Sequence, residues 1–573
     1  MRHLLPYLKK YKLQAILAPL FKMLEAGFDL AVPLIVARII NVGILENDRH
    51  YIFTRFALLL VMALMGLLCS FVAQYFAAKA AVGTASGLRH TLLEKIQDFG
   101  FTELDRLGAS TLVTRMTSDI NQVQSGINMF LRLFLRSPFV VFGAMALAFT
   151  IDTRIALVFV GVIAVLLGIV FAILHFTAPL YRDVQQRLDD VTNETREDLN
   201  GVRVIRAFGR EAVQQKRFHA VNAALKKTQL LAGKVAALMN PLTYVVINAG
   251  IVLILWLGAD GVETGTLATG DVIALINYIG QILIETVKLA NLVVLLGKSV
   301  SCMGRIGQIL DTPCAMSFGD ARGTDTEQVL RFDHVSLRYA QGGADALSDI
   351  SFSVRSGQTV GIIGGTGSGK SSLVHLIPRF YDATDGCVYL KGKPIQTLSR
   401  DALLETVSIV DQRPRLFRGT IRSNLLWGAP EATDDELWQA LETAQAAEFV
   451  RAKPLMLDEP VEQGGANFSG GQKQRLTIAR ALLRKTQILI LDDSASALDY
   501  ATDAALRKAI KALPDDMTVL IVSQRAGSLM DADQILVLDD GKLVGDGTHT
   551  ALLSDCAVYR EIYESQFGKE AEK

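Results

Sequence analysis

Residues 364–372 read GGTGSGKSS, with four residues between Gly364 and Gly369 ahead of Lys370 and Ser371. This spacing builds a loop whose backbone N–H groups close around phosphate oxygens. Gly364, Gly365, Thr366, Gly367, Ser368 and Gly369 would form the cradle. Lys370 would reach the β- and γ-phosphates, and Ser371, with Ser372 beside it, would offer a hydroxyl to Mg²⁺. A second stretch, ILILDDSASALD (488–499), runs four apolar residues into Asp492 and Asp493. Carboxylates at the end of a buried strand are costly unless a cation meets them. Asp492 is therefore a candidate to hold Mg²⁺ through water, completing a nucleotide site.

Chemistry of this kind needs elements that aim the residues. The apolar run 359–363 reads as a strand feeding the loop, and a helix opens after Gly369, so its N-terminus adds positive potential. From about residue 328 onward, short strands alternate with helices, which predicts an α/β P-loop domain. The first 300 residues read differently. The chain has 573 residues, 50% hydrophobic and 20% charged, with mean hydropathy +0.31. The apolar excess lies in six candidate membrane spans, roughly 14–44, 52–82, 130–151, 154–180, 236–258 and 272–300. The expected fold class is thus an all-α polytopic membrane domain of six transmembrane helices with long cytoplasmic extensions, joined to the α/β domain.

Basic residues set the orientation. Eleven Lys and Arg fall between Arg182 and Lys234, whereas 259–270 holds none. The positive-inside rule places the long loops, both termini and the soluble half in the cytoplasm, in a multi-pass protein of the cell membrane in contact with its lipid. Loops 83–129 and 181–235 carry an amphipathic pattern, so the membrane helices should continue into the cytoplasm. Formal net charge is zero, which offers nucleic acid no attraction. Lys22, Glu25 and Asp29 share one face of span one, and span six holds Asn277, Gln281, Glu285, Lys288 and Asn291. Structural pairing, such as Glu285 with Lys288 at i, i+3, and lining of a transport path are both open for them.

NFSGGQKQRLTIARALL (467–483) resembles the signature sequence of ATP-binding cassette (ABC) transporters. VSLRY (335–339) resembles the A-loop, whose aromatic residue, here Tyr339, stacks on adenine. IVDQRPRLFRGTIRSNL (409–425) resembles the Q-loop, with Gln412 near the metal, and SALD (496–499) resembles the D-loop. GASTLVTRMTSDI (108–120) and GVRVIRAFGRE (201–211) resemble the two intracellular loops of ABC exporters. The resemblance covers nearly the whole chain in the order of an exporter half-transporter. It implies a transmembrane domain over 1–303, with coupling helices near 105–115 and 201–211, a linker over 304–327, and a nucleotide-binding domain over 328–573. It also implies ATP and Mg²⁺ as cofactors, with Ser371, Gln412 and Asp492 around the metal. Two nucleotide-binding domains would stack head to tail, so that Ser469, Gly470, Gly471 and Gln472 close the site of a partner.

Three positions depart from the family pattern. Asp493 stands where the family has a glutamate base, Gln524 where it has a switch histidine, and Gln463 where exporters commonly carry a glutamate. An aspartate is one methylene short of the attacking water, and an amide cannot become cationic. The resemblance therefore implies one half of a heterodimeric exporter: a degenerate ATP site here, and an intact signature for a partner half-transporter with competent Glu and His. The cargo class it implies is a small amphipathic drug, lipid or peptide. A homodimeric exporter, or an ATP-gated channel or regulator on the same scaffold, is the alternative.

Overall fold

Long runs of apolar residues form helices that satisfy their own backbone, which the bilayer requires, and here they continue through Pro19, Pro33 and Pro179. In the computed structural model, which describes residues 2–568 except 315, 325, 340–342, 495, 497, 514 and 515, the chain divides into two units. One comprises 1–95 and 110–312; the other comprises 96–109 and 313–573.

Among the described residues, the first unit contains six helical stretches long and apolar enough to cross a membrane: Lys12–Ile44, Arg49–Gln97, Ala109–Ile151, Thr153–Ala207, Glu211–Glu263 and Thr269–Asp311. Helices therefore run well past the expected apolar spans, through most of both long loops. Charged residues terminate or continue them according to solvent. Asp152 caps the fourth stretch, accepting from the Ile155 N–H at 2.9 Å. Small residues let the helices approach. Ala26, Ala37, Ala144, Ala148, Ala156 and Ala274 are buried in one cluster, as expected where packing rather than hydrophobicity joins helices. A Cβ on Gly270 would lie 2.4 Å from the Ala37 carbonyl oxygen, so only glycine fits that crossing. Large apolar side chains such as Phe53, Phe171 and Trp256 point outward, the face a lipid tail would cover.

The two loop segments expected to hold coupling helices differ. Phe101–Leu107 is a separate short helix, ended by Gly108 at φ 74°. Residues 201–211 hold no helix of their own: the fourth stretch runs to Ala207 and the fifth starts at Glu211. Gly209, at φ 58°, lets the chain reverse within three residues, and the Arg210 N–H closes the turn on Ile205 at 3.0 Å.

In the second unit a six-stranded sheet runs in the order Lys542–Gly547, Gln534–Asp539, Thr359–Gly364, Thr518–Val522, Ile488–Asp492, Val407–Val410. Its pairings are parallel except at the Lys542–Gly547 edge. Strand Ile488–Asp492 is buried at every residue, as its unbroken apolar run requires. A four-stranded antiparallel sheet, Leu347–Arg355, Gln328–Leu337, Asp385–Leu390 and Lys393–Pro394, shares a core with the larger one.

Candidate active site

Parallel strands aim the carboxyl ends of their chains at one edge, where ligands of open α/β sheets bind. Register makes this concrete. Val522 pairs with both Ile362 and Asp492, so the phosphate loop, the two aspartates and Ser523–Gln524 emerge from neighbouring strands at one level.

The loop has the geometry that its glycines predict. A Cβ on Gly364 would lie 2.1 Å from the Leu538 carbonyl oxygen, while Gly367 and Gly369 sit at φ 85° and 95°. Side-chain positions at Gly365 and Gly367 face open space, leaving room for a phosphate against the backbone. Lys370 donates to the carbonyls of Gly364 (2.9 Å) and Gly365 (2.6 Å) and to the Ser368 hydroxyl at 3.3 Å. Burial holds its ammonium below the usual lysine range, opposed by the charges of Asp493 and Asp492. Such a poorly hydrated cation gains much from a phosphate.

Asp492 is 2% exposed and accepts from the Ser371 hydroxyl at 3.1 Å. Burial raises its pKa, with the Ser371 hydrogen bond opposing. A buried carboxylate beside a serine oxygen is a hard-oxygen pair that fits Mg²⁺, whose remaining ligands would come from phosphate and water. Asp493 follows at φ 45°, a left-handed turn that aspartate tolerates. Its Oδ2 accepts from the Gln412 amide at 3.2 Å, so Gln412 lies against the second aspartate. Burial raises the Asp493 pKa as well, opposed by that hydrogen bond and by the charges of Lys370 and Arg525. The shift is in the direction a base needs.

Gln524 is exposed at the end of its strand, with its backbone carbonyl accepting from Gln566 at 2.8 Å. Tyr339 donates to the Ser372 hydroxyl at 2.9 Å and meets Tyr381 edge-on, centroids 5.1 Å apart. It thereby links the antiparallel sheet to the helix after the phosphate loop. Of the D-loop segment 496–499, Ala497 lies outside the described residues.

Ser469–Gln472 stand apart from this group. Ser469 and Gln472 form a capping box, Gln472 N–H to Ser469 Oγ at 3.3 Å and Ser469 N–H to Gln472 Oε1 at 3.0 Å. The motif's Ser-x-x-Gln spacing is thus a helix start, and the N–H groups of Gly470 and Gly471 sit in its first turn. Two residues near the site escaped sequence reasoning. His375 Nε2 lies 3.9 Å from Asp492; its i+4 spacing from Ser371 was the available signal. Tyr381 was visible only as an aromatic in a loop.

A family profile described as the ABC transporter transmembrane region matches residues 15–287, and one described as ABC transporter matches 347–496. The ABC transporter ATP-binding protein YfiB of Bacillus subtilis (strain 168) is 36% identical, over 100% of this chain and 99% of its own. The chain belongs to the ABC transporter family. The ABC transporter ATP-binding protein Rv1273c of Mycobacterium tuberculosis (strain ATCC 25618 / H37Rv) is 34% identical over 98% of this ABC transporter and 97% of that relative. An ATP-dependent lipid A-core flippase of Hahella chejuensis is 30% identical over 89% and 87%. The solved structure of a bacterial Atm1-family ABC exporter with ATP bound superposes with TM-score 0.82, at 21% identity, covering 99% of both chains. This ABC transporter is accordingly an exporter half-transporter, its membrane domain fused to an ATP-binding domain whose ATPase activity is coupled to transport.

Proposed function

We propose that this half-transporter exports a small amphipathic substrate across the cytoplasmic membrane as one member of a heterodimer. Its own ATP site would be weakly hydrolytic, and its signature would complete the competent site of a different chain. The observation that supports this reading is that Asp493 and Gln524 follow on the ends of two adjacent parallel strands, whose last pair is Asp492 with Val522. A base retracted by about one carbon–carbon bond can lose on the order of a hundredfold in rate. A neutral amide opposite it stabilises developing phosphate charge less than an imidazolium would. The signature helix, by contrast, keeps its capping box, with Gly470 and Gly471 in its first turn.

ATP and Mg²⁺ are the cofactors, with Ser371 and Asp492 as the protein's metal contacts, Gln412 linking the site to Asp493, and Tyr339 as the adenine platform. The domains divide at a linker over 304–327, and basic loops keep the nucleotide-binding domain and both termini cytoplasmic. Amphipathic cargo is supported by the relative named a lipid A-core flippase and by the charged groups among apolar helices described below.

The test is the ATPase rate of the purified chain in lipid, alone and after co-assembly with a second half-transporter carrying Glu and His at the equivalent positions. Feeble turnover alone and rapid turnover of the pair is the expected result. Brisk, substrate-stimulated turnover by the lone species would establish a homodimer instead.

A further inference from the structure

Charged residues from spans one, three and six form one connected chain inside the membrane unit. Asp29 accepts from Arg136 Nη2 at 2.9 Å, Arg136 Nη1 bonds Glu285, and Lys288 Nζ reaches Glu285 at 2.8 Å. The Ser137 hydroxyl donates to the other Glu285 oxygen at 2.8 Å. Lys22 and Glu25 pair at 2.5 Å further along span one. Asp29, Arg136 and Glu285 each lie about fifteen residues, or ~22 Å, from the short-loop end of their helix. A hydrocarbon layer is about 30 Å thick, so all three share one depth within it.

The chain is neutral in sum, and its burial is uneven. The middle is sealed, Arg136 12% and Glu285 4% exposed, but the two ends are open, Asp29 48% and Lys288 43%. Two buried polar atoms beside it, Arg136 Nε and Gln281 Oε1, have no hydrogen-bond partner among the described residues. Gln281 spends its amide donor on the Asp29 backbone carbonyl at 3.3 Å. A clasp that only held helices together would close its ends and satisfy its polar atoms. This arrangement instead presents a carboxylate at one end and an ammonium at the other, with a spare acceptor and donor nearby.

We propose that Asp29, Gln281 and Lys288 are the headgroup site for a zwitterionic amphiphile, its cationic group on Asp29 and its anionic group on Lys288. Neutrality is the deciding term. A headgroup carrying one charge of each sign exchanges partners with the chain and leaves no net charge in hydrocarbon, whereas a singly charged one would strand a charge there. Arg136 and Glu285 position the two ends and do not touch the ligand. The inference rests on the reading that amphipathic cargo passes through these spans, and it names the class.

The experiment uses the full chain in dodecyl maltoside and radiolabelled dodecylphosphoethanolamine, with binding read by scintillation proximity. Unlabelled dodecylphosphoethanolamine should compete at least about tenfold better than dodecyl phosphate or dodecylamine, the scale of one charge-assisted contact. Lys288→Gln should shift the preference toward dodecylamine, and Asp29→Asn toward dodecyl phosphate. Lys288→Arg and Asp29→Glu, which keep the charges, should keep the zwitterion first. Equal competition by all three amphiphiles, or equal loss of all three in both neutral variants, would overturn the site. ATP-driven accumulation in inside-out vesicles of the assembled pair reports the export reading separately. Charge preference without flux removes export and leaves the site; flux without charge preference removes only the site.

Discussion

At the scale of single residues, the nucleotide site turns on lengths of side chain and on what each is bonded to. Asp493→Glu combined with Gln524→His should raise the ATPase rate of the assembled pair, because the added methylene restores reach and the imidazole restores a cation. Asp493→Asn should change that rate little, while replacing a partner's catalytic glutamate should abolish most of it; a coupled-enzyme phosphate assay separates the two. Lys370 yields a pH prediction. Burial sets its free-state pKa low, so above that value ATP binding must take up a proton. Affinity for a fluorescent ATP analogue should therefore fall as pH rises through the lowered pKa, earlier than an exposed lysine would dictate. Lys370→Ala should bind more weakly and lose that dependence.

At the scale of elements, short helices carry more than their length implies. Phe101–Leu107 belongs to the unit that contains the nucleotide site. Phe101 stacks on Phe380 with centroids 4.4 Å apart, and Tyr381 donates to Asp105 at 2.6 Å. Tyr381 in turn touches Tyr339, which bonds Ser372. Tyr381→Phe removes one hydroxyl from this path and should lower substrate-stimulated ATPase while leaving ATP affinity within about twofold, the loss of a single exposed hydrogen bond. The signature helix offers a contrasting case. Ser469→Ala removes the cap of this helix at a cost of about 1 kcal/mol, and the damage should appear in hydrolysis by the partner's site, measured with this chain's own site blocked by Lys370→Ala.

At the scale of the whole molecule, the single chain leaves surfaces that ask for a second one. Leu199, Val204 and Phe208 are large, apolar and exposed near the turn between the fourth and fifth helical stretches, Phe208 at 75%. That turn lies far along the helices from their apolar spans, and three large apolar side chains exposed within ten residues there make it a candidate surface for a partner. Phe208→Ala should lower transport-coupled ATPase of the pair several-fold without lowering the thermal midpoint of the isolated chain. Equal loss of both would assign Phe208 to folding.

Much of this was legible before any fold was known. Local rules suffice to recognise the phosphate loop from its spacing, and the left-handed turns at Gly367 and Gly369 are local, whereas Gly364 is needed where the Leu538 carbonyl crosses it. They also suffice for the six apolar stretches, since a helix satisfies its backbone without reference to neighbours. The identities of Asp493 and Gln524 are likewise read directly from the chain. What the sequence could not reveal is who meets whom across distance. Arg136 passed unnoticed, although it joins Asp29 to Glu285 from residues 107 and 149 positions away. His375 near Asp492, Gln412 against Asp493 and Tyr381 between Asp105 and Tyr339 depend in the same way on strand order and helix crossing. The reversal at 208–210, between the helix ending at Ala207 and the one starting at Glu211, follows from the left-handed turn at Gly209. Periodicity records which face of an element is apolar; the partner of a polar group on that face is chosen only when the elements pack.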